Sequence, residues 1–175
     1  MNSDLYALSL SSILAALCYI LMLPLVGFYN VFLTLFVCFT AGVLLGKGWG
    51  FLTGIVGMFL CSYFNPYGAA LPPIMFAQMI GAGLSGVLGG ITGGFVARHR
   101  GVFVPAVFMG FMGFVTALLY HIPVDITDAW LWGPFWPRLK LGLISSIVTI
   151  ISNIAIFVIL YPALKMLRRS IRYRI

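Results

Sequence analysis

The chain has 175 residues, of which 62% are hydrophobic and only 7% are charged, and its mean hydropathy is +1.13. A soluble domain of this size cannot bury so much apolar side-chain surface, so the composition excludes an ordinary soluble globule and indicates an integral membrane protein. Ten Lys and Arg against three Asp and Glu give a net charge of +7. In a membrane protein such an excess indicates which loops face the cytoplasm rather than nucleic-acid binding, because basic residues flank spans on that side.

The apolar segments predict six membrane-spanning helices in one compact bundle over residues 1–175. A helix needs about 20 residues to cross the hydrocarbon core, and the second and third segments are shorter than that. The predicted spans cover about residues 5–26, 31–46, 49–64, 74–97, 102–122 and 139–161. The predicted fold class is therefore an all-α integral membrane protein without a soluble domain.

Glycines recur every four residues around the turn between the second and third predicted spans. This spacing places small residues on one helix face, where two backbones can approach closely, which is how helices associate in lipid. The fourth span carries a similar row. The first set is Gly42, Gly46, Gly50 and Gly54, and the second is Ala82, Gly86, Gly90 and Gly94. The sequence predicts a tightly packed helical hairpin.

Basic residues fall mainly on one side of the predicted bundle. Eight of the ten share a side, and only Arg138 and Lys140 lie on the other. The eight are Lys47, Arg98, Arg100, Lys165, Arg168, Arg169, Arg172 and Arg174. Because basic loops face the cytoplasm, we expect both termini inside. The outer surface then consists of residues 27–30, 65–73 and 123–137, the last being a long connection.

No enzyme motif is present in the sequence. It has no nucleophile elbow, no HExxH and no phosphate-binding loop, and the interiors of the predicted spans carry no acidic or basic side chain for an ion relay. Cys18, Cys38 and Cys61 lie inside apolar segments without metal-ligand spacing. We therefore expect neither catalysis nor a cofactor or metal.

Polar and aromatic residues gather instead at the predicted outer side, which predicts a binding pocket open to the outside. A histidine, two acids and three tryptophans lie within sixteen residues, more than membrane anchoring requires. The candidates are Asn30, Asn65, Tyr67, Gln78, Tyr120, His121, Asp125, Asp128, Trp130, Trp132 and Trp136. We expect Trp130 and Trp132 to stack on a planar ligand while the polar groups bind its edges.

Each of these residues also has a structural interpretation. The tryptophans are typical of an interfacial aromatic belt. His121 fits a buried histidine with internal partners, and Asp125 fits a helix cap. Gln78 and Asn153 fit polar contacts between helices.

The segment 42–54, the loop Asn65-Pro66-Tyr67-Gly68 with Pro72-Pro73, and the small-residue helix 81–94 together resemble the S components of energy-coupling factor (ECF) transporters. The resemblance covers about the whole chain, and the length fits as well. It implies a subunit in a bacterial or archaeal cell membrane that binds a vitamin or vitamin precursor from outside with high affinity. It also implies partners, namely a transmembrane T component and two ATPases that drive inward release.

The same resemblance implies roles for further residues. The small-residue motif of the family's first helix, used to meet the T component, is similar to Ala7, Ser11 and Ala15. Thiamin-type S components carry a late histidine in helix five, tryptophans after it and an asparagine in helix six. His121, Trp130 and Asn153 are similar in order. The glutamate that those proteins place in helix four is absent.

A second hypothesis is a membrane scaffold of the rod-shape-determining MreD type, which has similar size and span count and binds proteins rather than solutes. That family tends to place an aspartate soon after the glycines of the third span, where Met58 and Phe59 stand in this chain. Binding of a small molecule to the purified protein distinguishes the two hypotheses.

The predicted sidedness is testable by cysteine labelling in intact cells. Cysteines introduced as His99→Cys and Ser170→Cys should react with a membrane-impermeant maleimide only after the cells are permeabilised, because both positions flank basic cytoplasmic segments. A cysteine placed in the loop 65–73 is the control and should react from outside. Labelling of either test position in intact cells would contradict the topology.

Overall fold

The computed structural model describes residues 3–28, 30–98 and 103–172 of the chain. Within these ranges every regular element is helical, and one 3₁₀ turn, Leu23–Leu25, follows the first helix. The helices are α1 Ser3–Met22, α2 Thr34–Leu45, α3 Lys47–Tyr63, α4 Pro72–Arg98, α5 Phe103–Trp132 and α6 Phe135–Arg172. The predicted all-α class is confirmed.

Four segments of the described chain are long and apolar enough to cross a membrane: Asp4–Leu25, Pro72–Val96, Phe103–Trp132 and Phe135–Ser170. The fold is therefore that of a multi-pass membrane protein. By contrast, the 12 residues of α2 rise only about 18 Å, well short of a hydrocarbon core of about 30 Å. The count of six spans and the cytoplasmic termini stay predictions, and Arg100 and Arg174, which that prediction uses, lie outside the described residues.

α2 is the central helix of the bundle. Its residues from Thr34 to Val43 are all buried, and it contacts α1, α3, α4 and α6. Phe36 and Phe39 both meet the ring of Phe157 on α6 edge-on, with ring centroids 5.1 Å apart in each pair. A short helix enclosed in this way exposes little of its surface to lipid.

Glycines bring the backbones of α2, α3 and α4 into direct contact, which confirms the predicted tight hairpin. A Cβ built on Gly42 would collide with the Gly86 carbonyl, and one on Gly86 would collide with the Gly50 carbonyl. A Cβ on Gly50 would lie 2.6 Å from the Gly42 Cα. Any side chain at these positions would force the helices apart, as expected for small-residue packing in membranes.

Gly46 belongs to the same sequence row but has a different role. It lies between α2 and α3 with φ +92°, a conformation that side-chain-bearing residues rarely adopt, and no neighbouring atom lies within 4 Å of its would-be Cβ. Its amide donates to the Gly42 carbonyl over 2.9 Å. Gly46 therefore makes the sharp turn of the hairpin rather than a helix contact.

The prediction of a long connection over residues 123–137 is wrong. α5 continues through Pro123 to Trp132, and α6 begins at Phe135. His121, Asp125 and Ala129, spaced four apart on one face of α5, are all buried. Packing of this face outweighs the break that a proline usually causes, because burial contributes more than local propensity. The basic tail is likewise part of α6 up to Arg172.

Replacement of Gly86 by alanine tests the backbone contact. We expect Gly86→Ala to lower the free energy of unfolding by about 1–3 kcal/mol or more, because its methyl group would overlap the Gly50 carbonyl. Gly94→Ala on the same helix is the matched control, since no atom of another helix or of a side chain beyond its chain neighbours lies within 4 Å of its would-be Cβ. Alanine there should be neutral or slightly stabilising. Thermal unfolding in nanodiscs measures both, and equal effects would contradict the packing.

Candidate functional site

A cavity of about 390 Å³ opens near the end of the bundle where the α1–α2 and α5–α6 connections lie. Its volume falls within the range of about 300–1,000 Å³ that is usual for small-molecule sites. Residues of the segment before α2, beginning with Asn30, and residues of α4, α5 and α6 surround the cavity. Its lining consists of Asn30, Phe32, Ile74, Gln78, Tyr120, His121, Val124, Asp125, Asp128, Arg138, Leu141, Gly142 and Ser145.

A second cavity of about 280 Å³ adjoins the first on the side of α3. Phe32, Gln78 and Tyr120 line both cavities and therefore form the partition between them. The remaining residues of the second lining are Met22, Thr34, Met58, Cys61, Ser62, Asn65, Tyr67, Gly68 and Ala70. The two cavities together give the candidate site two lobes, which we name the α6 lobe and the α3 lobe.

Among the residues that the structure describes, Asp125 is the one buried acid, with 7% of its surface exposed. The Ser146 hydroxyl donates to its Oδ2 over 2.7 Å. Gly142 faces the carboxylate so closely that an added Cβ would lie 3.0 Å from the Asp125 Cγ. The absence of a side chain at position 142 therefore makes the space that the carboxylate occupies between α5 and α6.

His121 lies one helical turn before Asp125 and is 6% exposed. Its Nδ1 is 3.7 Å from the Asp125 Oδ1, too far for a hydrogen bond. Neither ring nitrogen has a hydrogen-bond partner among the described residues. The ring packs edge-on against Tyr120, with centroids 5.2 Å apart. His121 therefore has Asp125 beside it as an ion-pair neighbour but no hydrogen bond within the described chain.

Asp128 and Arg138 form an ion pair at the rim of the α6 lobe. Arg138 Nε donates to Asp128 Oδ2 over 2.6 Å, and Nη2 donates to Oδ1 over 3.2 Å. The two side chains are 26% and 45% exposed. This bidentate pair ties α5 to α6 and leaves Asp128 neutralised by its own partner.

The partition between the lobes combines aromatic and amide groups. The Phe32 and Tyr120 rings lie 5.6 Å apart at 53°. The Ser62 hydroxyl donates to Gln78 Oε1 over 2.7 Å, and the Gln78 side chain is also hydrogen-bonded to Tyr120. A bound molecule would therefore meet an apolar wall beside an amide that is already held in place by the chain.

Asn30 fixes the segment that precedes α2 onto α6. Its Nδ2 donates to the Ser145 carbonyl over 2.9 Å, and the Thr149 hydroxyl donates to the Asn30 carbonyl over 2.9 Å. Its φ is +57°, in the left-handed region that asparagine tolerates better than most residues. Both hydrogen bonds span more than 110 residues of sequence.

The structure brings together most of the polar residues that the sequence singled out. Gln78, Tyr120, His121, Asp125 and Asp128 line the α6 lobe, and their role in binding stays a prediction. Asn65 and Tyr67 line the α3 lobe. There the Tyr67 amide donates to Asn65 Oδ1 over 2.9 Å, which fixes the turn, while the Tyr67 side chain is largely exposed.

Three other predicted residues lie away from both lobes. Trp130 and Trp132 are 75% and 55% exposed on the far part of α5, so the geometry gives no support to stacking of these indoles on a bound ring. Their position fits the interfacial belt instead. Asn153 is fully buried deeper in α6, where its Nδ2 donates to the Thr149 carbonyl over 3.0 Å. Asn153 and Thr149 both belong to α6, so this hydrogen bond lies within one helix.

The small face of α1 is already covered within the chain. Ala7, Ser11 and Ala15 are buried, and the hydroxyls of Ser11 and Thr53 on α3 share a hydrogen bond of 2.8 Å. Gly57 on α3 lets α1 approach, since an added Cβ would lie 2.9 Å from the Cys18 Sγ. This face is thus part of the internal α1–α3 contact, and its role in docking a partner stays a prediction.

Several lining residues carried no signal in the sequence. Phe32, Leu141, Gly142 and Ser145 lie in apolar segments whose periodicity only indicates helices. The charge pattern of the sequence predicts that Arg138 lies on the outer side but does not indicate that it lines the site. Among the described residues no group of three or more His, Cys, Asp or Glu is arranged to hold a metal ion.

The cavity, its buried polar groups and the apolar helices define the chain as a multi-pass helical membrane protein with a candidate small-molecule site. Comparison with protein-family models, with curated proteins and with solved structures finds no match.

The role of Asn30 is testable by two substitutions at one position. Asn30→Gly removes the side-chain hydrogen bond but accepts a positive φ, so we expect a loss of about 1 kcal/mol in unfolding free energy. Asn30→Ala removes the same bond and adds the left-handed strain, about 1–2 kcal/mol more. Thermal unfolding of the two variants in nanodiscs compares them. Equal stability would show that the left-handed backbone costs nothing there.

Proposed function

We propose that this chain is the substrate-capture subunit of a vitamin or vitamin-precursor importer of the ECF type, and that its substrate binds in the two lobes beneath the α1–α2 and α3–α4 connections. The observation that carries the proposal is the pair of buried groups in the α6 lobe. His121 has two nitrogens without partners in the described chain, and Asp125 accepts one internal hydrogen bond.

A buried polar group without a hydrogen-bond partner has an energetic cost. A buried donor or acceptor without a partner costs about 1–3 kcal/mol, so such groups are rare in natural interiors unless water or a ligand satisfies them. A substrate that bonds to His121 and Asp125 would offset that cost on binding.

The shape of the site favours a compact molecule with an apolar face. Phe32 and Tyr120 offer aromatic surface on the partition, and Gln78 offers an amide beside it. On the α3 side, the turn after Asn65 has a fixed shape, with the Gly68 amide donating to the Asn65 carbonyl over 2.9 Å. A preformed cover lowers the ordering cost of closing over a ligand.

The proposal includes a T component and ATPase subunits as partners. Because α3 covers the Ala7, Ser11 and Ala15 face, α1 would meet a T component through its opposite side. That side carries the exposed small residues Ser12 and Ala16 between exposed Leu8 and Ile20. Close helix contact in lipid uses small residues of this kind.

Titration of the protein in nanodiscs tests the proposal. Isothermal titration calorimetry measures the binding of each of seven compounds: thiamin, its pyrimidine precursor, riboflavin, biotin, folate, cobalamin and pantothenate. We expect one compound or a related pair to bind. Phe32→Ala should weaken that binding about tenfold to a hundredfold, since an aromatic contact contributes about 1–3 kcal/mol.

Trp130→Ala is the matched control for the loss of an aromatic ring. The indole is 75% exposed and outside both lobes, so its removal should leave the affinity within about twofold. If no compound binds folded protein and native mass spectrometry finds no small molecule retained, the scaffold hypothesis is favoured instead.

A further inference from the structure

The two carboxylates of the α6 lobe differ in what surrounds them. Asp128 lies at the exposed rim, where Arg138 holds it through two hydrogen bonds. Asp125 lies deeper and accepts one hydrogen bond, from the neutral hydroxyl of Ser146. In the linings of both lobes the charged residues are these two acids and Arg138. Asp128 therefore already has a cationic partner, whereas the hydrogen bond that Asp125 accepts comes from a neutral group.

His121 is the nearest group that could neutralise Asp125 from within. A protonated imidazole would have two N–H donors, yet neither nitrogen has an acceptor at hydrogen-bond distance in the described chain. The Nδ1 to Oδ1 distance of 3.7 Å is within the range of an ion pair but too long for a hydrogen bond. Within the described chain no hydrogen bond thus satisfies the Asp125 Oδ1, which faces His121.

From these contacts we propose that the site is selective for a positively charged ligand: a compact molecule whose protonated amine or amidine nitrogen lies against the Asp125 carboxylate and whose neighbouring polar atom faces His121. The inference rests on the proposed function and narrows its substrate class. A carboxylate in a poorly hydrated site binds N–H donors of a cation more strongly than neutral donors.

The surroundings of Asp125 fit this role. Gly142 gives the carboxylate room, because any side chain there would press against it. Ser146 fixes Oδ2 and leaves Oδ1 on the side of His121. A planar amidinium group could thus donate to Oδ1 with one nitrogen and approach the imidazole with its other edge. The aromatic partition of Phe32 and Tyr120 would lie beside the body of such a ligand.

Three probes of one shape and different charge test the inference without knowledge of the natural substrate. Benzamidinium is a cation, benzamide is neutral and benzoate is an anion, and all three carry a planar group on the same ring. Their affinities are measured by calorimetry with the full chain in nanodiscs, with empty nanodiscs as the blank. We expect benzamidinium to bind at least tenfold more tightly than benzamide, with benzoate weakest.

Two variants that each remove one carboxylate show which carboxylate causes the preference for benzamidinium. Asp125→Asn keeps the shape and an acceptor for Ser146 but removes the charge, and it should abolish the preference for benzamidinium over benzamide. Asp4→Asn removes an exposed carboxylate at the start of α1 and should leave the preference unchanged. Circular dichroism and thermal unfolding show that each variant is folded. If Asp125→Asn does not fold, Gly142→Ala replaces it, since its methyl group would crowd the carboxylate and should reduce the preference.

Two outcomes overturn the inference: benzoate or benzamide binding as tightly as benzamidinium, or a cation preference that persists in Asp125→Asn. These outcomes are distinct from failure of the proposed function. If a neutral or anionic vitamin binds and Phe32→Ala weakens it, the importer proposal stands and the charge selectivity is wrong. If benzamidinium shows the expected preference while no vitamin binds, the site is cation-selective and the vitamin assignment fails.

Discussion

Direct backbone contact among α2, α3 and α4 is the constraint on which the rest of the structure depends. Gly42, Gly50 and Gly86 meet without side chains between them, so three helices pack closer than any larger residue would allow. Lipid offers no hydrophobic drive toward helix association, and close van der Waals contact takes its place. This contact holds the short α2 in the middle of the bundle, where ten consecutive residues are buried. The remaining helices pack around that centre.

The same use of small residues positions the candidate site. Gly81 brings α4 against α5 where an added Cβ would lie 2.6 Å from the Tyr120 Cα, and Gly142 makes room for Asp125 between α5 and α6. The polar groups of the α6 lobe therefore stand on helices whose spacing is fixed by backbone contact. Groups held on rigid elements keep their geometry when the site is empty, which lowers the entropy lost on binding. Asn30 extends this rigidity to the segment before α2.

The effect of a charged side chain in this molecule depends on where the side chain lies and what surrounds it. Asp125 and Asp128 are neighbours on one helix, yet one meets a hydroxyl in the interior and the other meets a guanidinium at the rim. Partly buried charges interact more strongly than exposed ones because water screens them less. The exposed ion pair at the rim contributes little to stability beyond joining α5 to α6, whereas the buried Asp125 carboxylate is the group on which the proposed charge selectivity rests.

The sequence by itself determined the class of the protein, the helical pattern and the close packing of the glycine hairpin, because composition and spacing of four act locally along a helix. It also singled out His121 and Asp125, whose chemistry is unusual in an apolar chain. It could not show that Trp130 and Trp132 turn away from the cavity, nor that α5 continues through Pro123. Which way a side chain faces, and whether a helix survives a proline, depend on the neighbours that pack against it. Those neighbours come from distant parts of the chain, so only the tertiary structure decided them.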